Sequence, residues 1–137
     1  MEPQQNAGQT PQVTSNGRKI LIIEDEHFIS ELYVRALTRA GYDVTVEVDG
    51  KRGMERALTN EYDIILLDLM IPTMTGIEVL RKLRGDGVKP LKSKIIITTN
   101  LEQREETRND IENRADAYLI KAEITPRELV DFLNNVQ

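Results

Sequence analysis

The sequence has no cysteine, which excludes disulfides and thiolate-held zinc and makes a reducing compartment its natural setting. It lacks any apolar run near the roughly 18 residues that a membrane helix requires. Its first residues, Met1-Glu2-Pro3-Gln4-Gln5, lack the basic-then-apolar order of a secretion signal. Positive charge is not in excess either. The formal net charge is -5, which argues against a direct nucleic-acid binder or a membrane-surface binder. No internal repeat is visible. What remains is a cytoplasmic, one-domain chain of 137 residues, long enough to bury a core without staples.

Large apolar residues are scarce in the first 17 positions, where only Val13 follows Met1 among Gln, Pro, Thr, Ser, Asn and Gly. Such a stretch cannot bury enough surface to offset the entropy of ordering, so residues 1–17 are expected to form a flexible tail. The folded domain is expected to span residues 18–137. Gln137 follows the last predicted helix too soon to leave room for an output domain, so a stand-alone protein is expected.

From there the chain alternates. Lys19 to Ile23 is a short apolar strand ending in Glu24-Asp25-Glu26. Phe28, Ile29, Leu32, Tyr33, Ala36, Leu37 and Ala40 recur at helical spacing, and Gly41 closes that helix. Val44, Val46 and Val48 alternate with polar residues as a second strand, and Asp49-Gly50 turns into a helix with Met54, Ala57 and Leu58. Ile64 to Leu67 run straight into Asp68, and a continuous apolar run of this kind reads as a strand buried on both faces. Pro72 and Gly76 punctuate the turn into a third helix marked by Ile77, Val79, Leu80 and Leu83. A fourth strand, Ile95 to Thr98, precedes a polar segment from Leu101 to Arg114, and a fifth strand spans Ala117 to Ile120. Thr125-Pro126-Arg127-Glu128 opens the last helix with an N-cap, a first-turn proline and an acid three residues after the cap. Five strands alternating with five helices predict an α/β fold: a (βα)5 doubly wound parallel sheet, flavodoxin-like, with strand order 2-1-3-4-5.

In that architecture the C-terminal ends of the strands share one rim, where ligands bind. Glu24 and Asp25 reach it from the first strand and Asp68 from the third, while Thr98-Thr99-Asn100 and Lys121 end the fourth and fifth. Clustered acids repel one another. A hard divalent cation resolves that repulsion, and Mg²⁺ suits a site of few carboxylates completed by water. A cation beside an aspartate, a lysine and a threonine hydroxyl makes a place for a phosphoryl group, which aspartate can accept covalently.

These residues, in this order, resemble the receiver domain of two-component response regulators. The resemblance covers roughly Arg18 to Val136 and rests on Glu24-Asp25, Asp68 with Pro72 and Gly76 behind it, Thr99, Tyr118 and Lys121. It implies that Asp68 accepts phosphate from a histidine kinase or phosphotransfer protein. It implies that Glu24, Asp25, Asp68 and the Met70 main-chain carbonyl hold Mg²⁺, and that Lys121 pairs with a phosphoryl oxygen. Thr99 would swing towards another phosphoryl oxygen and let Tyr118 move inward, altering the face around the fourth helix, fifth strand and fifth helix for a downstream protein partner. Thr98 competes with Thr99 for the switch role. Thr99 is preferred, because the fourth strand then keeps four residues and Asn100 takes the small-residue position. A phosphorylation-dependent homodimer is left open. Met70 and Leu101 flank the expected approach of water, so slow self-dephosphorylation is expected.

Two departures from the family pattern stand out. Lys121 is followed by Ala122 rather than proline, so a cis bond there would cost about 2.5–4 kcal/mol, and whether the bond is cis or trans is left open. Residues 102–114 carry only Ile111 as a large apolar residue, with Arg114 where a capping glycine is usual. Either the fourth helix is a solvated, charge-laced face, or it stays loose until phosphorylation or a partner orders it. The only histidine, His27, reads as a surface residue, and Tyr33 and Tyr42 read as core-edge residues. A haloacid-dehalogenase-type phosphatase is disfavoured, since it needs a second acid two residues beyond the nucleophile, where Met70 stands. A degenerate receiver acting as a phosphorylation-independent docking module is the remaining alternative to a switch.

Overall fold

A computed structural model describes residues 15–100 and 105–136. Five strands form the sheet: β1 (Lys19–Ile23), β2 (Asp43–Glu47), β3 (Ile64–Asp68), β4 (Lys94–Thr99) and β5 (Ala117–Ile120). The helices are α1 (His27–Arg39), α2 (Gly50–Ala57), α3 (Gly76–Arg84), α4 (Glu105–Arg114) and α5 (Pro126–Asn134). All strand pairs are parallel and the order is β2-β1-β3-β4-β5, as expected from the alternation of elements.

The strands sit where they do because both sheet faces are covered. Every residue of β3 is buried, which is why its sequence is an unbroken apolar run rather than an alternation. Successive side chains go to opposite faces. Ile65 and Leu67 join Leu21, Ile23, Ile95 and Ile97 under α2, α3 and α4, whereas Ile64 and Leu66 join Ile20, Ile22 and Ile96 under α1 and α5. Tyr33 and Tyr42 are buried in the second of these layers, and the Tyr42 hydroxyl donates to Asn134 Oδ1 at 2.7 Å, tying α5 down. Three of the helices, α2, α3 and α5, begin at side-chain caps. Asp49 accepts from the Arg52 N–H, and Thr75–Glu78 and Thr125–Glu128 both form reciprocal capping boxes.

Some expectations need correction. Phe28 fits the helical spacing of α1 but is 73% exposed, because it lies in the first turn, beyond the sheet. Val48 lies past the end of β2 and Leu58 caps α2, and both are exposed. β4 is longer than its apolar run and includes Lys94 and Thr99. A 3₁₀ turn, Lys121–Glu123, follows β5, and no cis peptide occurs among the described residues. Residues 1–14 of the expected tail lie outside the described residues. Ser15, Asn16 and Gly17 are exposed or nearly so, yet the Asn16 N–H donates to the Gly41 carbonyl at 3.0 Å.

The fourth helix is held differently from the rest. Among its described residues only Ile111 is buried in the core. Its attachment to α3 is otherwise polar. Asp110 accepts from Arg81 and Arg114, and Arg84 and Arg114 each donate to the other's main-chain carbonyl at 2.9 Å. Arg84 also reaches the Ser93 carbonyl and Asp116, whose carboxylate accepts from the Ile95 N–H. A buried aliphatic contributes roughly 1.5–3 kcal/mol, whereas an exposed ion pair contributes up to about 1 kcal/mol. Local stability should therefore be lower here than in α5, which buries Leu129 and Leu133. In native-state hydrogen exchange, amides 109–114 should exchange at least about tenfold faster than those of residues 130–134. Equal protection would show that the polar contacts hold α4 as firmly as apolar burial holds α5.

Candidate functional site

The parallel register delivers the site. Ile23 pairs with Leu67, so the next residue of each strand, Glu24 and Asp68, emerges at the same rim. Thr99 pairs with Ile120, so Lys121 follows on the far side of β4. The three acids come together: carboxylate oxygens of Glu24, Asp25 and Asp68 lie within 4.8 Å of one another. Glu24 and Asp68 are buried and Asp25 is exposed. Lys121 is buried too, and its Nζ donates to Glu24 Oε1 at 2.8 Å and to Asp68 Oδ2 at 3.2 Å.

Burial dominates the electrostatics. It pushes the Glu24 carboxyl up to about 7, with the Lys121 hydrogen bond opposing and the Asp68 charge adding to the rise. Burial also works against the Lys121 ammonium. The Glu24 hydrogen bond and the Asp68 charge outweigh it and hold the ammonium well above the usual lysine range. One ammonium thus faces two buried carboxylates and a third nearby. That surplus of oxygen charge is the chemistry a hard cation fits, with its remaining ligands supplied by water and main chain.

A cavity of about 210 Å³ opens beside this cluster, lined by Glu26, Asp68, Met70, Thr99, Asn100 and Lys121. Thr99 lines it and Thr98 does not, although both are buried and Thr98 is the residue in register with Asp68. Neighbouring strand residues face opposite ways, so only one of the two can point here. A larger hollow of about 660 Å³ lies along α1 and the edge of β2, beside His27 and Val48, and holds none of these carboxylates.

The loop after β3 is tightly built. The Met70 N–H donates to Asp68 Oδ1 at 3.2 Å, so both oxygens of Asp68 have a donor. The Gly76 N–H donates to the Leu69 carbonyl at 3.0 Å, closing the loop at its base. A Cβ at Gly76 would stand 2.3 Å from the Asp68 carbonyl oxygen, which is why glycine is needed there. Met70 is 64% exposed at the cavity mouth, and Tyr118 on β5 is 37% exposed. Leu101, the other residue expected to shield the site, lies outside the described residues.

Two residues here escaped the sequence reading. Glu26 brings a further carboxylate to 3.5 Å from Lys121 Nζ while remaining largely exposed. Its place two residues after Glu24 was a usable signal. Asn100 Oδ1 accepts from the Ala122 N–H at 2.7 Å, stitching the end of β4 to the turn after Lys121. Nothing local in sequence could reveal a partner 22 positions away.

Comparisons with known proteins bear on the chain as a whole and on its fold. A family described as response regulator receiver domain matches residues 20–134. The response regulator ArlR of Staphylococcus saprophyticus is 41% identical over 103 residues, covering 75% of this chain and 45% of the relative. ArlR of Staphylococcus aureus is 37% identical with the same coverage. The chain therefore spans less than half the length of the curated relatives it matches. Among solved structures, the receiver domain of Francisella response regulator 1452 superposes with a TM-score of 0.74 at 30% identity, covering 86% of this chain and 94% of that one. Vibrio cholerae chemotaxis protein CheY4 gives 0.73 at 26% identity, covering 88% and 98%.

The shared ammonium makes a direct prediction. In cation-free buffer Lys121→Met should lower the unfolding free energy by about 3–5 kcal/mol, because two buried carboxylates lose the charge they share. Denaturant titration measures this. A loss below about 1 kcal/mol, the worth of an exposed pair, would show that Lys121 does not hold the cluster together.

Proposed function

This chain belongs to the response regulator receiver domain family, and from that membership and the rim geometry we propose that it is a phosphorelay switch whose phosphoacceptor is Asp68. The observation that carries the reading is the clustering of Glu24, Asp25, Asp68 and Lys121, two of which, Asp68 and Lys121, line the adjoining cavity. The donor is a histidine kinase or phosphotransfer protein. Glu24, Asp25, Asp68 and the Met70 carbonyl would hold Mg²⁺, which when bound would supply charge neutralisation for the transferring phosphoryl group.

The residues divide the work. An Asp68 oxygen attacks phosphorus in line, the new O–P bond forms as the donor's P–N bond breaks, and the imidazole leaves to take a proton from solvent. Lys121 gives up contact with Asp68 and pairs with a phosphoryl oxygen, where its preset charge is worth most because the site is buried. Thr99 lines the cavity, and its hydroxyl donates to another phosphoryl oxygen. That movement draws Tyr118 inward and alters the face made by α4, β5 and α5. A downstream protein, or a second copy of the chain, reads that face. The weak apolar hold on α4 suits it to such a change. Phosphoryl transfer to itself is the chain's only proposed chemistry, so it is a switch rather than a turnover enzyme. Among the described residues no helix is long and apolar enough to cross a membrane, and the setting proposed is the cytoplasm.

Incubation with Mg²⁺ and acetyl phosphate or phosphoramidate, followed by intact mass, should show one added phosphoryl group. Asp68→Asn or chelation of Mg²⁺ should abolish it. An unmodified wild-type protein would instead be a docking module that works without phosphate, and continuous turnover of the donor without a trapped adduct would indicate a phosphatase.

The exposed Met70 side chain at the cavity mouth supports slow hydrolysis of the acyl phosphate, because an apolar group there neither binds nor orients water. Met70→Asn should shorten the lifetime of the phosphorylated form several-fold, followed by loss of the added mass with time. A wild-type half-life of seconds would contradict the shielding role.

A further inference from the structure

The loop from Leu69 to Thr75 carries the Met70 main chain, and its tip has an unusual shape. Thr73 has φ of 68°, in the left-handed region. For a β-branched residue this is a true outlier, sustained only where the surroundings impose it. The Met74 N–H closes on the Pro72 carbonyl at 2.9 Å across Thr73, and the other contacts come from the start of α2. The Thr73 hydroxyl donates to Asp49 Oδ1 at 2.8 Å and accepts from the Lys51 N–H at 3.2 Å. The Gly50 N–H donates to the Pro72 carbonyl at 3.0 Å. A Cβ on Gly50 would stand 2.0 Å from the Met74 carbonyl oxygen, so the two backbones touch.

Asp49 Oδ1 serves two masters. It accepts from the Arg52 N–H at 2.9 Å as the N-cap of α2, and it accepts the Thr73 hydroxyl. These bonds hold its carboxyl below the usual carboxylate range, so it is ionised and acceptor-only at neutral pH. The loop is therefore clamped at its base by Gly76 to Leu69 and at its tip by Thr73 to Asp49. Met70 lies between the two clamps.

We propose that Asp49 and Thr73 form a latch that positions the Met70 carbonyl for the cation. The inference rests on the reading of Glu24, Asp25 and Asp68 as cation ligands. A main-chain ligand on an unlatched loop has to be ordered when the cation binds, and that ordering subtracts from affinity. The strained Thr73 backbone, held open by a carboxylate outside the site, performs the ordering in advance. Asp49 and Thr73 touch neither phosphate nor cation, so they are positioning residues.

Magnesium titration by calorimetry, paired with thermal unfolding in chelator, tests the latch on wild type, Thr73→Val, Thr73→Ser and Asp25→Asn. Thr73→Val keeps the branched shape and loses the donor, so Mg²⁺ affinity should fall about tenfold or more, whereas Thr73→Ser should stay within about twofold of wild type. An altered melting temperature in chelator with Mg²⁺ affinity unchanged would make the contact merely structural and overturn the proposal. Should Thr73→Val fail to fold, Thr73→Gly removes both hydroxyl and strain and carries the same expectation. Asp25→Asn separates the two levels. If wild type binds no Mg²⁺, or Asp25→Asn binds it as wild type does, the cation site itself is wrong and the latch falls with it. If Asp25→Asn loses binding while Thr73→Val keeps it, only the latch is wrong.

Discussion

One buried ammonium facing two buried carboxylates is the interaction on which the rest of this structure depends. Taking Glu24 and Asp68 out of water is strongly unfavourable, and Lys121 is what makes it tolerable. Three separate strands must end in register for that contact to form, so the ion cluster and the sheet specify each other. The compensation is also incomplete. Asp25 adds charge beside the pair, Glu26 adds more within reach of Lys121, and the Glu24 carboxyl sits well above its ordinary range. A site left short of positive charge is suited to gain some from a hard cation.

Rigidity is distributed unevenly around this centre. The loop that follows Asp68 is braced by Gly76 at its base and by the start of α2 at its tip, and Asn100 fixes the turn that carries Lys121. These braces lie on the side of the carboxylate cluster and Lys121. On the other side, α4 is fastened to α3 by guanidinium groups, carbonyls and carboxylates, with one aliphatic anchor, Ile111, among its described residues. Polar fastenings exchange readily for water. The rim around Asp68 is thus firmly braced, and the face beyond β4 is held more loosely.

Much of this was legible in the chain. The unbroken run from Ile64 to Leu67 announced a strand covered on both faces, and the alternation of elements announced the doubly wound sheet. Asp68, Lys121 and the Glu24-Asp25 pair were identifiable because strand ends in such a sheet share one rim. Thr125-Pro126-Arg127-Glu128 declared its capping box, and Thr75 with Glu78 carried the same signal unread. Spacing misled at Phe28 and Val48, where helix or strand periodicity runs on past the sheet that would bury it.

The sequence alone determined the order of elements, the two-sided burial of the sheet and the identity of the charged residues at its edge, because these follow from local periodicity and from a small set of permitted topologies. Tertiary structure alone decided which threonine of the pair faces the cavity and that Glu26 reaches Lys121. It also decided that Asn100 holds the Ala122 amide and that Asp49 captures Thr73. Each of these is a contact between side chains or backbones brought together from different elements, set by strand pleat and loop path to within an ångström. Local pattern carries no information at that scale.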